Sequence, residues 1–347
     1  MKKLMEPLLL SLLSLIIVSL WFRGGLLFAG GEEGIPFYNL DKTYELFSYT
    51  WRSFSGGYPI FTDLARIPFF YFLKILNHLP IQSYILQALS FFLLMIVGSL
   101  SIYAFIKLTL MEELNKSRWG NGLYRYTPLV AAIFYLLNPY SMVQIWGRGL
   151  YNQFLPFALL PLFLVLFVAG LKRRKIIYGF LALAVSVFLS GAFGQPSYII
   201  SLWLMVVLYL TFHLLAIRDK KESRYALLYF LTLLILWLLL HAWWIWPFIK
   251  SLGETTSRLG DIEYNLGSFR GISRDSAPFV VLRLLHKFIF EKIYGEIYLS
   301  IPFKVISWLI PGVSIFSLGI FKKLRHFMYF VLLFSVSFFI VLGSNPP

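Results

Sequence analysis

The acidic side chains of this chain, which could accept or donate protons in catalysis, are concentrated in two segments. Eleven of the 16 Asp and Glu residues fall within residues 24–79 or 251–304. They are Glu32, Glu33, Asp41, Glu45, Asp63, Glu254, Asp261, Glu263, Asp275, Glu291 and Glu296. Plain solvation of two large loops would also explain most of them. The pattern therefore indicates where carboxylate chemistry could take place without choosing a residue.

One arginine stands apart from the other basic residues. Arg148 lies in the sequence Trp146-Gly147-Arg148-Gly149, between two long apolar segments. The neighbouring glycines would let an anionic group approach closely, so an anionic headgroup is one ligand that suits this position. The alternative is that its long side chain only reaches the surface of a membrane, as basic side chains near the ends of apolar helices do.

The elements that would position these residues are long apolar segments. Residues 81–106 and 225–249 contain no charged residue over 26 and 25 positions, and each could cross the roughly 30 Å hydrocarbon core as a helix. The chain is 59% hydrophobic and 14% charged, against about 25% charged in a typical soluble domain. Because lipid offers no hydrogen-bond partners, the spans must be helices. The sequence predicts an integral membrane protein.

We predict an all-α polytopic membrane protein with about nine transmembrane helices in a single transmembrane domain. They are residues 7–22, 81–106, 127–147, 150–171, 176–193, 197–217, 225–249, 305–321 and 327–342. Residues 176–217 must form two helices, since one helix of that length would measure about 63 Å. The break is expected at the turn sequence Gly194-Gln195-Pro196-Ser197.

The loop charges orient these helices. With a cytoplasmic N-terminus and an uncleaved first span, the inner segments hold 17 of the 31 Lys and Arg residues. Those segments are 2–3, 107–125, 172–175, 218–224 and 322–325. This positive-inside pattern predicts a multi-pass protein of the plasma membrane, with the acid-rich loops outside. It also explains the net charge of +15 without nucleic-acid binding, for which no basic-aromatic module is present.

The first outer loop, residues 24–79, is expected to contain two helices lying in the membrane interface. In residues 41–54, Tyr44, Phe47, Trp51 and Phe54 follow helical spacing, which predicts an aromatic amphipathic helix. Asp41 would cap its N-terminus. A second helix is predicted over 68–78. The chain has no cysteine, which excludes disulfides and thiolate sites.

Several short motifs are similar to those of a known family. They are residues 51–59, Leu137-Asn138-Pro139-Tyr140, Phe154-Leu155-Pro156, residues 190–196, Trp243-Trp244-Ile245-Trp246-Pro247, Thr255-Thr256 and Phe269-Arg270-Gly271. On these residues the chain resembles the GT-C superfamily of membrane glycosyltransferases. Within it, the chain is most similar to the N-terminal membrane module of the arabinofuranosyltransferase D type. The resemblance covers most of residues 24–280.

The chain departs from that family in two places. Glu32-Glu33 stand where the relatives place an aspartate after the first span. The chain also stops just after the ninth predicted span, whereas such enzymes continue, so we expect C-terminal spans or a further domain to be missing.

The resemblance implies an inverting transfer of sugar from a polyprenyl-phosphate donor to a hydroxyl of a glycan, lipid or protein acceptor outside the cell. It implies a carboxylate base, for which the candidates are Glu33, Glu32 and Asp41, followed by Asp261 or Glu263. Cations stabilise the leaving phosphate, and the candidates are Arg148, Arg270 and Arg274, with Arg52 behind them. Trp243, Trp244 and Trp51 are candidate sugar or acceptor contacts, although an aromatic belt at the membrane boundary also explains the two neighbouring tryptophans.

No cofactor is expected. A divalent cation on the glutamate pair is conceivable, but the sequence shows no complete ligand set. The expected partners are the lipid bilayer, the lipid-linked sugar and the acceptor, not nucleic acid. Two other functions stay open. A flippase or transporter of lipid-linked sugars should carry ionisable residues inside its spans and an internal repeat, neither of which is evident. A non-catalytic membrane assembly subunit would tolerate loss of the glutamates and of Arg148.

Overall fold

The computed structural model describes residues 2–28, 37, 39–52, 58–59, 61–116, 123–217, 219–259, 277–285, 295–297, 300–321 and 324–342. Four of the candidate site residues, Glu32, Glu33, Arg270 and Arg274, lie outside the described residues, as do Asp261 and Glu263. Within the described part the chain is almost entirely helical, as predicted.

The helices follow one another along the whole described chain. The α-helices are α1 (Lys2–Trp21), α2 (Leu40–Phe47), α3 (Ile67–Asn77), α4 (Ser83–Lys116), α5 (Thr127–Leu137), α6 (Tyr151–Arg173), α7 (Ile177–Leu189), α8 (Pro196–Ala216), α9 (Lys220–Leu259), α10 (Pro278–Leu282), α11 (Ile301–Ser307), α12 (Leu309–Phe321) and α13 (Arg325–Leu342). The 3-10 helices are Thr62–Arg66, Leu123–Tyr126 and Ser190–Ala192, and Ser141–Gly147 is a π-helix. The short strands β1 (Trp51–Arg52) and β2 (Tyr58–Pro59) pair antiparallel.

Five of the described helices are long and apolar enough to cross a membrane. They are Ser83–Met111, Tyr151–Arg173, Pro196–Ala216, Lys220–Ser251 and Ile301–Gly319. The number is six if the bent pair Tyr124–Leu137 and Ser141–Gly147 makes one span. The other predicted spans coincide with the shorter apolar helices Met5–Trp21, Ile177–Ala192 and His326–Leu342. These helices indicate a membrane protein.

The predicted break between the spans of residues 176–217 is confirmed. Helix α7 ends at Leu189, a 3-10 turn follows, and Gln195 stands in extended conformation as the N-cap of α8. Pro196 occupies the first turn of α8, where its missing N–H costs nothing because no helical acceptor precedes it.

The first loop differs from its prediction in two respects. The stripe that predicted one helix over 41–54 was wrong beyond Phe47, where α2 ends and the Ser48 hydroxyl donates to the Tyr44 carbonyl at 2.7 Å. Trp51 lies instead on β1, opposite Pro59. Asp41 is in the first turn but is not the cap, since the N-cap is Asn39, whose Oδ1 accepts from Lys42 N at 2.9 Å. The second helix, α3, is confirmed.

The described chain is organised in two compact units. The first contains Met1–Leu108, Tyr126–Leu136 and Arg148–Gly253, and the second contains Thr109–Arg125, Leu137–Gly147 and Glu254–Pro347. In the first unit, α6 is the span most buried by the rest of the protein, with 72% of its most apolar stretch buried. It therefore forms the centre of this unit, and the elements of residues 37–77 pack on its N-terminal end.

Helix α6 is central although it carries two internal prolines, Pro156 and Pro161. A proline has no N–H, so Pro161 leaves the carbonyl of Phe157 without its usual helical donor. The hydroxyl of Tyr135 on α5 donates to this carbonyl at 2.7 Å, and the Tyr135 ring stacks on the Phe157 ring with centroids 4.2 Å apart. A residue of the preceding helix thus replaces the missing backbone donor.

In the second unit, the start of α13 is held by a carboxylate near the end of α4. Glu113 accepts hydrogen bonds from the backbone N–H of His326 at 3.0 Å and from its ring Nδ1 at 2.7 Å. Since the first N–H groups of a helix have no partner within it, Glu113 acts as a cap supplied from another helix.

Candidate functional site

The candidate site is built on an aromatic cluster between helices α2 and α3 and the N-terminal end of α6. Its buried members are Phe37, Leu40, Phe69, Phe70, Leu73, Leu86, Tyr151, Leu155 and Ala192. The rings of Phe47 and Phe70 stack with centroids 4.5 Å apart and planes inclined by 7°, which joins α2 to α3. Tyr151, at the start of α6, packs on Phe70 and Phe69. The first-loop helices are thereby fixed to a span.

A buried ion pair lies in this cluster, at the 3-10 helix Thr62–Arg66. Arg66 Nε is 3.4 Å from Asp63 Oδ1, and the two side chains are 9% and 5% exposed. The Arg66 guanidinium lies over the Phe47 ring at 5.3 Å and the Tyr151 ring at 5.7 Å. Aromatic faces attract a guanidinium and replace part of its lost hydration. Arginine, aromatic rings and aspartate therefore form one desolvated assembly.

The turn between α7 and α8 closes over this ion pair. The Ser190 hydroxyl donates to the Ala65 carbonyl at 2.6 Å, which holds the 3-10 helix against α7. At Gly194, a Cβ atom would lie 2.6 Å from Arg66 Nε, so a larger residue would displace the guanidinium from this position. The motif Ser190-Gly191-Ala192-Phe193-Gly194-Gln195-Pro196 thus packs on the 3-10 helix Thr62–Arg66.

Arg148 lies on the turn that precedes α6, on the same side of this unit as the aromatic cluster. Its side chain is half-buried, and within the described residues it makes no hydrogen bond or ion pair. The next residue, Gly149, has φ +66°, and a Cβ there would overlap the ring of Phe28. The turn therefore requires glycine for two reasons, backbone conformation and close approach.

The segment that leads to the glutamate pair is anchored beside this turn by Gln87 of α4. Its Oε1 accepts from Phe28 N at 2.7 Å, and its Nε2 donates to the Phe28 carbonyl at 2.8 Å. Gln87 is 2% exposed. Phe28 is thus fixed on Gly149, next to Arg148, and the chain continues from it to Glu32 and Glu33, which lie outside the described residues.

Asp41 lies on the outer surface of α2, away from the buried ion pair. Asn77 of α3 donates to its Oδ2 at 3.3 Å, and Lys74 Nζ is 4.0 Å from its Oδ1. The Asp41 side chain is 50% exposed. Lys74 also lies over the Tyr44 ring at 4.8 Å. Asp41 therefore serves the contact between α2 and α3 and remains open to water.

The three candidate tryptophans occupy different surroundings. Trp51 on β1 and Trp243 on α9 are exposed, with free ring surface. Trp244 is 1% exposed and donates from Nε1 to His241 Nδ1 at 3.0 Å. The ring of Trp244 lies in the helix core, so it presents no surface to a sugar in this conformation.

His241 is a hydrogen-bonded contact between helices. Because Trp244 donates to Nδ1, the ring proton is on Nε2, which lies 3.0 Å from Ser186 Oγ. The Ser186 hydroxyl in turn donates to the Leu183 carbonyl at 2.7 Å. This chain of donors joins α9 to α7. Among the described residues, no group of three His, Asp or Glu side chains could hold a metal ion.

Three contributors to this site were not predicted from the sequence. Asp63 was counted only as a loop acid, and Arg66 was not considered, although their spacing of three residues before Pro68 is visible in the sequence. Gln87 was also missed. Its signal is a lone amide within an uncharged span, where polar groups usually face protein.

Comparison of the chain with protein-family models, with curated proteins and with solved structures found no match.

Proposed function

We propose that this chain is a membrane glycosyltransferase that transfers a sugar from a polyprenyl-phosphate donor to a glycan, lipid or protein acceptor. The reaction would take place at the outer face of the plasma membrane, with the N-terminus in the cytoplasm. The apolar helices and the basic inner segments support this placement. The GT-C resemblance described above supports the chemistry.

The main observation in support of the proposal is the environment of Arg148. Arg148 is half-buried and has no carboxylate partner among the described residues, so its guanidinium N–H groups are available to an anionic ligand. Arginine is well suited to phosphate because its planar fork donates two parallel hydrogen bonds. The donor, a polyprenyl-phosphate sugar, carries one phosphate group, and this group would pair with the Arg148 guanidinium.

The proposed step needs one base and one cation. The acceptor hydroxyl oxygen attacks the anomeric carbon while the bond from that carbon to the phosphate oxygen breaks. The hydroxyl proton passes to a carboxylate, Glu33 or Glu32 first and Asp41 second, and the polyprenyl phosphate leaves with the electron pair. Arg148 stabilises the charge that develops on the phosphate.

The anchoring of Phe28 supports the choice of the glutamate pair over Asp41. Gln87 fixes Phe28 beside the Arg148 turn, and the glutamates follow closely along the chain. Asp41 is already engaged with Lys74 and Asn77. Its carboxylate already has two partners and holds α2 against α3.

Sugar transfer by the purified chain reconstituted in lipid tests the proposal. The donors are radiolabelled polyprenyl-phosphate sugars, offered with a membrane-glycan extract as acceptor. Glu33→Gln should abolish turnover while donor binding persists, and Arg148→Ala should lower turnover by about 10²- to 10³-fold. Asp41→Asn should leave most activity. Arg23→Ala, an exposed arginine in the turn after α1, is the matched charge control.

Two results would contradict the proposal. If Arg148→Ala and Arg23→Ala behaved alike, Arg148 would be an ordinary interfacial arginine. If the wild type transferred no sugar from any donor and yet bound lipid-linked sugar, the protein would be better described as a flippase. A chain that needs a second polypeptide segment for activity would also fit that result.

A further inference from the structure

Seven basic residues lie where the C-terminal end of α6 adjoins the N-terminal end of α9, all within the first unit. They are Lys172, Arg173, Arg174, Lys175, Lys220, Lys221 and Arg224. We call this set the basic patch. It belongs to a different part of the unit from the candidate site, which is built on the N-terminal end of α6.

Direct contacts bring the two helix ends together. Arg174 Nη2 lies 3.6 Å from Glu222 Oε2, which links the end of α6 to the first turn of α9. One turn further along α9, the Tyr225 hydroxyl donates to the Gly170 carbonyl at 3.3 Å. The Tyr229 ring packs on Gly170 as well. The basic patch is therefore one continuous surface and not two separate loops.

The acids of these segments do not neutralise the patch. Glu222 forms an ion pair with Arg174. Asp219 caps α9 and accepts a hydrogen bond from the backbone N–H of Lys221 at 2.9 Å. The side chains of Lys175, Lys220, Lys221 and Arg224 are exposed, and within the described chain they have no hydrogen-bond or ion-pair partner. An excess of positive charge therefore faces outward.

Apolar side chains flank these cations on both helices. Ile176 and Ile177 at the start of α7 are 46% and 54% exposed, and Leu227 and Leu228 of α9 are 45% and 53% exposed. A ligand that covers this surface must place an anion on the lysines and hydrocarbon on the neighbouring apolar residues. That combination describes a phospholipid and not a free anion.

We propose that the basic patch binds the headgroups of anionic phospholipids. Clustered Lys and Arg residues next to a span attract anionic lipid, with each charge contributing about fivefold to affinity. Topology alone requires basic residues on this side, but it does not require two loops to converge on one surface. This proposal does not depend on sugar transfer, because it concerns other residues and another end of the unit.

Lipid binding to the full chain in neutral detergent, followed by native mass spectrometry, tests the proposal. The probes are phosphatidylglycerol and phosphatidylcholine with the same acyl chains. Glycerol 3-phosphate and inorganic phosphate serve as soluble competitors. The double variant Lys220→Gln/Lys221→Gln is compared with the double control Lys42→Gln/Lys250→Gln, which removes two exposed lysines elsewhere in the same unit.

We expect wild type and control to prefer phosphatidylglycerol by at least tenfold. The Lys220/Lys221 variant should lose about tenfold or more of that affinity, with phosphatidylcholine binding unchanged. Raising the ionic strength should weaken only the binding of phosphatidylglycerol. The proposal is overturned if both lipids bind equally, if the variant binds as the wild type does, or if millimolar soluble phosphate displaces the lipid, which would indicate a simple anion site.

Discussion

The side-chain amide of Gln87 closes a ring of two hydrogen bonds with the backbone of Phe28, accepting at 2.7 Å and donating at 2.8 Å. An amide side chain carries a donor and an acceptor side by side, so it can take the place of a neighbouring strand. Here it fixes an irregular segment of chain to the side of a long apolar helix.

Replacing Gln87 with leucine should destabilise the protein by about 1–3 kcal/mol, because the N–H and carbonyl of Phe28 would lose their partners next to apolar surface. Thermal unfolding in detergent measures the effect. Gln82→Leu is the control, since Gln82 is exposed just before α4. Equal effects of the two substitutions would show that Phe28 finds other partners.

Gly149→Ala should destabilise the protein by about 2–5 kcal/mol. The left-handed conformation of this residue penalises a Cβ by about 1–2 kcal/mol, and overlap with the Phe28 ring adds an overpacking cost of about 1–3 kcal/mol. Gly312→Ala is the matched control, because a Cβ on Gly312 meets nothing within 4 Å. Alanine there should be neutral or slightly stabilising as a better helix former.

Breaking the buried Asp63–Arg66 pair should be costly, whereas replacing both partners should not. Asp63→Leu or Arg66→Met alone leaves a buried charge and is expected to cost about 3–5 kcal/mol. The double variant should be more stable than either single variant. A double-mutant cycle on unfolding free energies measures the coupling.

The exposed pair Lys42–Glu45 provides the comparison for that cycle. Its atoms are 3.0 Å apart, closer than those of the buried pair, but its side chains are 57% and 54% exposed. Water and salt screen such a pair, so its coupling should be below about 1 kcal/mol. Similar couplings for the two pairs would mean that burial does not strengthen the Asp63–Arg66 interaction.

Tyr135→Phe should cost about 1–1.5 kcal/mol in the wild type, because the Phe157 carbonyl loses the Tyr135 donor at the helix gap made by Pro161. In a Pro161→Ala background the restored N–H can serve that carbonyl, so the same substitution should cost much less. Tyr71→Phe, at an exposed position, controls for loss of a hydroxyl. Equal costs in both backgrounds would contradict this account of the proline.

Helix positions in this chain could be predicted from the sequence, because a long apolar segment in lipid pairs its own backbone N–H and C=O groups by forming a helix. The predicted break before Pro196 is correct for a local reason, the fixed backbone angle of proline. The end of α2 was not predictable from the aromatic stripe. The spacing of Tyr44, Phe47 and Trp51 fits a helix, but periodicity contains no signal for where hydrogen bonding stops.

The contacts of the candidate site were less accessible to sequence reasoning. Arg66 and Asp63 are close in sequence, but their burial depends on Ser190 and Gly194, more than a hundred positions away. Arg148 was recognisable because it interrupts an apolar region. The roles of Glu32, Glu33, Arg270 and Arg274 stay predictions, since these residues lie outside the described part of the chain.

The bond from Tyr135 to Phe157 has a consequence for how the protein is made. Ribosomes deliver the chain from its N-terminus, so α5 is synthesised before α6. The hydroxyl that compensates for Pro161 is therefore already available when the proline-containing helix emerges into the membrane. The Phe157 carbonyl of α6 therefore does not depend on a later segment of the chain for its hydrogen-bond donor.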